Sequence, residues 1–341
     1  MNIFFSVDEG FVPYLSVMIA SMMAHASEGN RYELHILEQG LNPDYQRMLL
    51  RQIGRDSRFS LDFVDVGEYL SGRSFYTESR KDLNQSTYYR LLIPYLYPEM
   101  DRAVYLDGDM VALRDIARLD RVELGENLLA AVRDYQGIAN FYREETDERD
   151  YIENVIGIKA PDELIIAGLL VMNLKEFRKR WALEELLDMA SSREWRHHDQ
   201  DILNVLSAGN KVLLDARWNI LPDIGTYRRM PGWLYKEWKK GAERPFVVHF
   251  GGSLKPWKYP NVPYAALFWK YAKKSPFYKE ILARRRGGLL HSSAFRRTFL
   301  EQLAVPVGSR RRAVISRIWK SIRSSKQEMT NSRPGAKRRG M

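Results

Sequence analysis

Apolar positions along the chain follow two periods that take turns. Short runs rich in β-branched and aromatic residues read as strands at Ile3–Val7, Tyr32–Leu37, Phe59–Val66, Ala103–Leu106, Leu128–Val132, Leu164–Met172, Val212–Leu214 and Phe246–Phe250. Between them, Tyr14–Ala26 is apolar on every side and predicts a buried helix. Asn42–Arg51, Thr87–Tyr95, Lys175–Ala190 and Asp199–Leu206 carry the 3.6-residue repeat of amphipathic helices. An aromatic-rich helix over Pro263–Ala283 closes the pattern. Strands alternating with helices predict a largely parallel sheet covered on both faces, whose ligands bind beyond the carboxyl ends of the strands.

The chain of 341 residues is 45% hydrophobic and 12% aromatic, enough for one large α/β core plus an appendage. Its longest apolar run, Leu164–Met172, is far short of the roughly 20 residues that cross a bilayer. The first residues, Met1–Asp8, carry no cation and reach an acid early, so they do not read as a secretory signal, and a cytoplasmic location is expected. The absence of cysteine removes disulfides, thiolate metal sites and thiol nucleophiles. The net charge of +10 is concentrated at one end. Residues 284–341 hold 16 Lys or Arg against Glu301 and Glu328, a net of +14, which leaves the preceding part at −4. A nucleic-acid partner for the whole protein is therefore disfavoured.

Two segments carry the chemistry. Asp107-Gly108-Asp109 follows the strand Ala103–Leu106 directly, so two carboxylates leave the sheet edge on a tight turn that suits Mg²⁺ or Mn²⁺. Asp199-Gln200-Asp201 repeats the spacing inside a helical pattern, which shows that the spacing alone decides little. His249-Phe250-Gly251-Gly252-Ser253-Leu254-Lys255-Pro256-Trp257 also follows a strand. Its imidazole can complete a cation's coordination, its paired glycines admit phosphate to backbone N–H groups, and Lys255 adds a point charge. No Walker or dinucleotide glycine pattern is present.

With these two segments, and with Ser86-Thr87-Tyr88-Tyr89-Arg90, Ala167-Gly168 through Asn173-Leu174, and Asp199–Asn204, the chain resembles the family-8 glycosyltransferases from Met1 to about Ala283. The resemblance implies a GT-A fold, and a retaining transfer of galactose or glucose from a UDP-sugar to a saccharide acceptor. It implies that Asp107, Asp109 and His249 ligate Mn²⁺, with Mg²⁺ as the alternative. Ser6, Asp8 and Phe11 would frame the uracil. Arg90 would lie near the donor's sugar and phosphates, Gly108 would contact the donor, Gly252 and Lys255 its diphosphate, and Asp134, Asp199 and Gln200 would surround the transferred sugar, these three and Arg90 serving catalysis. The neutral amide of Gln200, expected beneath that sugar, is a poor nucleophile. Ile166 stands where many relatives carry Asn, and Glu9-Gly10 where many carry Asp-Asn, so the donor's sugar is the part of the resemblance these positions bear on.

Residues 1–283 are thus expected to form the catalytic domain, 284–330 a basic helical tail, and 331–341 a disordered basic terminus. In Arg310–Arg323 one helical face collects Val314, Ile315, Ile318, Trp319 and Ile322, and the other collects Arg317, Lys320 and Arg323. Such a helix suits an anionic membrane surface, which in turn suggests a lipid-linked acceptor such as lipopolysaccharide and a peripheral place on the inner face of the membrane. Two competing functions are a sugar-nucleotide pyrophosphorylase and a non-catalytic membrane-binding adaptor. The first should show a glycine-rich loop after its first strand, where Ser6–Phe11 offers one glycine, and the second leaves the carboxylate and histidine constellation without a purpose.

Overall fold

The computed structural model describes residues 1–77, 85–143, 147–223, 225, 227–259 and 261–289. The chain divides into two compact units, Met1–Gly288 and Leu289–Met341, and the fold below is that of the first. Its strands are β1 (Asn2–Ser6), β2 (Tyr32–Glu38), β3 (Phe59–Asp65), β4 (Arg102–Leu106), β5 (Met110–Ala112), β6 (Leu129–Arg133), β7 (Ile165–Asn173), β8 (Lys211–Leu213) and β9 (Val247–His249). Seven of them form one sheet in the order β3-β2-β1-β4-β7-β6-β8, and β5 pairs with β9 separately. Within the large sheet β7 runs antiparallel to β4 and β6, while the other neighbouring pairs are parallel. Residues Ile165–Met172 of β7 are all buried, as an unbroken apolar run at the middle of a covered sheet requires. The predicted α/β class with its eight strands is observed.

Four departures from the periodicity have local causes. The strand β5 is absent from the sequence reading because three residues carry no measurable period. The helix expected over Lys175–Ala190 is two, Leu174–Arg180 and Leu183–Ser191, split where Trp181 turns extended and the Ala182 N–H donates to the Glu185 carboxylate at 2.7 Å. Thr87–Tyr95 is a 3₁₀ helix, Gln85–Leu92, running into a single α turn at Ile93–Leu96. There the Arg90 Nε–H donates to the Thr87 carbonyl at 3.1 Å. Pro276 breaks the last predicted helix into Ala265–Ala272 and Tyr278–Leu289, since it lacks the N–H that continuation needs.

The helix Tyr278–Leu289 runs through the Arg284–Gly288 segment where the sequence reading placed a boundary. Arg284 belongs to the first unit: it donates to the Gly10 carbonyl and pairs with Glu280 at 2.5 Å. The helix expected over Arg310–Arg323 and the terminus 331–341 lie outside the described residues. Among the described residues no helix is long and apolar enough to cross a membrane.

Candidate active site

The parallel strands deliver their carboxyl ends to a cleft of about 420 Å³. At its centre, β4 stops at Leu106 and the Asp107 N–H donates to the Gly168 carbonyl of β7 at 2.8 Å. Gly108 then lies against helix Val12–His25, where an added Cβ would stand 3.3 Å from Leu15 Cβ, a tighter contact than side chains usually make. Asp109 leads into β5, and β5 pairs antiparallel with β9 in the register Met110↔His249. That short pairing brings His249, far away in sequence, to the two aspartates.

The three ligand atoms of Asp107, Asp109 and His249 lie within 4.8 Å of one another. His249 Nε2 is 3.2 Å from Asp109 Oδ1 and 3.5 Å from Asp107 Oδ2. On the other edge of the ring, His249 Nδ1 lies 3.0 Å from the side-chain oxygen of Asn219, which only accepts. The imidazole therefore carries its proton on Nδ1 and turns the Nε2 lone pair toward two carboxylates, the orientation a metal-ligating histidine needs. Gly168 floors this space: a Cβ there would collide with the His249 ring and stand 2.8 Å from Asp107 Oδ2. The donor set of two carboxylates and one imidazole fits a divalent cation of the Mg²⁺ or Mn²⁺ kind.

Cations of the chain itself balance these carboxylates. Lys255, 5% exposed, binds the Asp109 carboxylate and donates to the Phe250 carbonyl at 2.9 Å. Burial of Asp109 opposes its charge, but the Lys255 ammonium outweighs that and holds its pKa well below the usual carboxylate range. Arg90 is equally buried. Its Nη2 meets Asp107 Oδ1 at 3.1 Å, its Nη1 donates to the Ala167 carbonyl at 2.6 Å, and its guanidinium lies 4.1 Å from the centre of the Tyr105 ring. Its Nε is 3.0 Å from Asp199 Oδ2 while aiming its N–H at Thr87, so that pair is electrostatic. Arg90 is thus tied to protein groups on several sides.

Further along, Asp199 opens helix Asp199–Leu206 but does not cap it; its side chain accepts from the Thr87 hydroxyl. Burial raises its pKa to about 6, against the opposing pull of Arg90. Gln200 is held at both ends, accepting from the Ala167 N–H at 3.2 Å and donating to Asp134 Oδ2 at 2.9 Å. Asp134 caps helix Tyr135–Phe141, an element with no strong sequence period, by accepting from the N–H groups of Gln136 and Gly137 at 3.1 and 2.9 Å. Its enclosure raises its pKa, a shift the Gly137 N–H opposes. Asp201 turns away from this group, toward Tyr151 and the His197 N–H at 2.5 and 2.8 Å.

At the β1 end, Ser6 is the last residue of the strand, Asp8 follows it, and Phe11 is the N-cap of helix Val12–His25. Asp8 Oδ1 accepts from the Phe11 N–H at 2.9 Å. The Phe11 ring stands edge-on to Tyr14 and Trp257, with Lys255 Nζ 5.6 Å from its centre. Gly252 has φ +71°, a left-handed conformation that favours glycine.

The sequence of the chain matches the family described as Glycosyl transferase family 8 over residues 2–260. The chain belongs to that family. It is 23% identical over 265 residues to General stress protein A of Bacillus subtilis, covering 75% of this chain and 87% of that one. It is 26% identical over 189 residues to the lipopolysaccharide 1,2-glucosyltransferase of Escherichia coli, with 53% of each chain covered. Among solved structures, the bifunctional glycosyltransferase WbbM in its apo form superposes with a TM-score of 0.74 at 25% identity, over 83% of this chain and 51% of that one. Galactosyltransferase LgtC in complex with donor and acceptor sugar analogues superposes with a TM-score of 0.62 at 22% identity, over 87% of this chain and all of that one. The chain is accordingly a glycosyltransferase, and neither the pyrophosphorylase nor the adaptor is needed.

All thirteen candidate positions line the one cleft: Ser6, Asp8, Phe11, Arg90, Asp107, Gly108, Asp109, Asp134, Asp199, Gln200, His249, Gly252 and Lys255. Sequence reasoning missed what supports them. Asn219, which fixes the His249 tautomer, shows itself only as a polar residue between buried Trp218 and Ile220. Tyr105, whose hydroxyl donates to Asp107 Oδ1 at 2.9 Å, hides in an apolar strand. The wall residues Gln136, Asn140 and His197 follow no motif.

Proposed function

We propose that this glycosyltransferase moves a hexose, galactose or glucose, with retention from a UDP-sugar to a saccharide acceptor, using Mn²⁺ held by Asp107, Asp109 and His249. The observation that carries the reading is the convergence of those three ligands, the His249 lone pair directed by Asn219, and Lys255 on one open position at the strand ends. The bound cation would neutralise the charge that grows on the diphosphate as the glycosidic bond breaks. Around it the chain's own groups have separate tasks. Lys255 and the backbone at Gly251-Gly252 offer positive charge and N–H groups to the phosphates, Phe11 and Asp8 face the base, and Arg90 fixes the orientation of Asp107. Gln200, with both ends of its amide engaged, holds Asp134 in place and is no nucleophile.

The lipopolysaccharide glucosyltransferase among the relatives supports an envelope glycolipid as acceptor, and the basic tail beyond Leu289 supports work at the inner membrane face from the cytoplasm. The test is release of UDP from a panel of UDP-hexoses and GDP-hexoses with and without Mn²⁺. Mn²⁺-dependent release confined to UDP-galactose or UDP-glucose is expected. Equal turnover of GDP-sugars, or full activity in chelator, overturns the assignment of base or metal.

A further inference from the structure

Part of the cleft wall has no task in the donor reading above. Beyond Asp134 and Gln200 that wall is made by Gln136, Asn140 and His197. His197 is held there by more contacts than a loop residue needs. Its N–H donates to Asp201 Oδ2 at 2.8 Å, its Nε2 meets Glu148 Oε1 at 2.7 Å, and its ring stands edge-on to Tyr151. Glu148 is itself 8% exposed and is fixed on its other oxygen by Arg196 at 3.3 Å. The side chain of His197 remains 37% exposed, and its Nδ1 has no hydrogen bond among the described residues. A carboxylate-anchored imidazole with one nitrogen satisfied and the other open to a cleft is an arrangement built to hold a ligand hydroxyl.

We propose that the Glu148–His197 pair is an acceptor-binding element: His197 Nδ1 hydrogen-bonds a hydroxyl of the incoming pyranoside and orients it toward the sugar held near Asp134 and Gln200. The inference rests on the donor reading above. It adds the chemical class the far end takes, a neutral polyol. Among the described residues the wall there is made by Gln136, Asn140 and His197, with no Lys or Arg beside them to recognise a phosphorylated or acidic acceptor. Glu148 serves as a positioning residue, since it touches the imidazole and lies behind it.

The experiment measures UDP release and glycoside formation by the full chain with Mn²⁺, using water alone and then methyl glycosides of the common hexoses as acceptors. His197→Ala is expected to lower the ratio of transfer to hydrolysis tenfold or more and to raise the acceptor KM. Glu148→Gln, which keeps a hydrogen-bonding partner, should lower it less, and His197→Asn should recover part of the loss. A purely structural role would lower the melting temperature and both rates together and leave the ratio unchanged, which overturns the proposal. An unchanged acceptor KM in His197→Ala, or a wild type that hydrolyses the donor but is accelerated by none of the glycosides, also overturns it. A wild type that releases no UDP from any UDP-hexose instead defeats the donor reading on which the proposal stands.

Discussion

The two ends of the cleft solve the burial of polar groups in opposite ways. At the cation end, ionised side chains compensate one another, buried Asp109 with Lys255 and half-buried Asp107 with Arg90, and the His249 lone pair is aimed at both carboxylates. At the saccharide end, the carboxylates nearest the cleft are spent on neutral donors, Asp134 on the N–H groups of Gln136 and Gly137 and the Gln200 amide, and Asp201 on the Tyr151 hydroxyl and the His197 N–H, while Glu148 behind them pairs with Arg196. A charged leaving group needs preorganised charge around it. Neutral hydroxyls need only directed acceptors and donors. The cation end should therefore be brittle, failing when any one charge is removed, whereas the saccharide end should tolerate change and alter specificity.

Removing one charge at the cation end is the harshest test. Asp109→Ala deletes a ligand and leaves the Lys255 ammonium buried against Phe250 without its counter-ion. Loss of one partner of a buried pair costs about 3–5 kcal/mol of stability, to be read from urea denaturation. Mn²⁺-dependent transfer should fall on the order of 10³-fold, and His249→Ala should lose transfer comparably while keeping its fold. Wild-type Mn²⁺-dependent rates in either variant would end the distinction between the two ends.

Between the ends, Asp199 gives the comparison a pH signature. Its folded pKa of about 6 lies above the ordinary carboxylate value, so the folded protein binds more protons than the unfolded one between pH 4 and 6. Stability from this group is present at low pH and is lost as pH rises through that window, by about 3 kcal/mol at most. Asp199→Asn should remove that slope. The measurement is the difference in unfolding free energy between wild type and variant at pH 4.5, 5.5 and 6.5. A difference that does not change with pH contradicts the burial argument.

A smaller loss is expected one step out from the ligands. Asn219→Leu removes the acceptor that keeps the proton on His249 Nδ1, and such outer partners typically account for 10–100-fold in metal affinity. Titration calorimetry with Mn²⁺ reads this without turnover. Unaltered affinity would mean that the carboxylates alone set the imidazole's orientation.

Why Asn219 had to come from the structure and Asp107 did not follows from where each sits. Asp107 and His249 follow apolar runs that announce themselves as strands, and a parallel sheet sends its ligands to those ends. Asn219 reaches His249 because β9 pairs with β5 and the Ile220 N–H donates to the Val247 carbonyl at 3.0 Å, a register no local pattern encodes. Glu148 and His197, 49 residues apart, likewise meet through the fold, where no local pattern announces them. The helix Tyr135–Phe141 escaped notice because its stability lies in the Asp134 cap and in burial of Tyr135, Ile138 and Phe141, within too few residues to display a period. The break at Trp181-Ala182 interrupts a perfectly amphipathic stretch, since the period records which residues are buried and is blind to how the backbone turns between them.

Asp134 supplies the mildest and most discriminating test of the contrast. It is a helix cap and the partner of Gln200, and among the described residues no buried cation is hydrogen-bonded to it. Asp134→Ala should then cost the loss of an N-cap, about 1 kcal/mol, together with part of the order of Gln200. Asp134→Asn keeps an oxygen for the Gly137 N–H but sets its NH2 against that of Gln200, and should cost less than Asp134→Ala by keeping the cap. Donor hydrolysis and hexose preference in both variants indicate what the carboxylate adds beyond the cap. If Asp134→Ala destabilises the chain as much as Asp109→Ala, the saccharide end is as dependent on charge as the cation end, and the division of the cleft into a brittle half and a tolerant half is wrong.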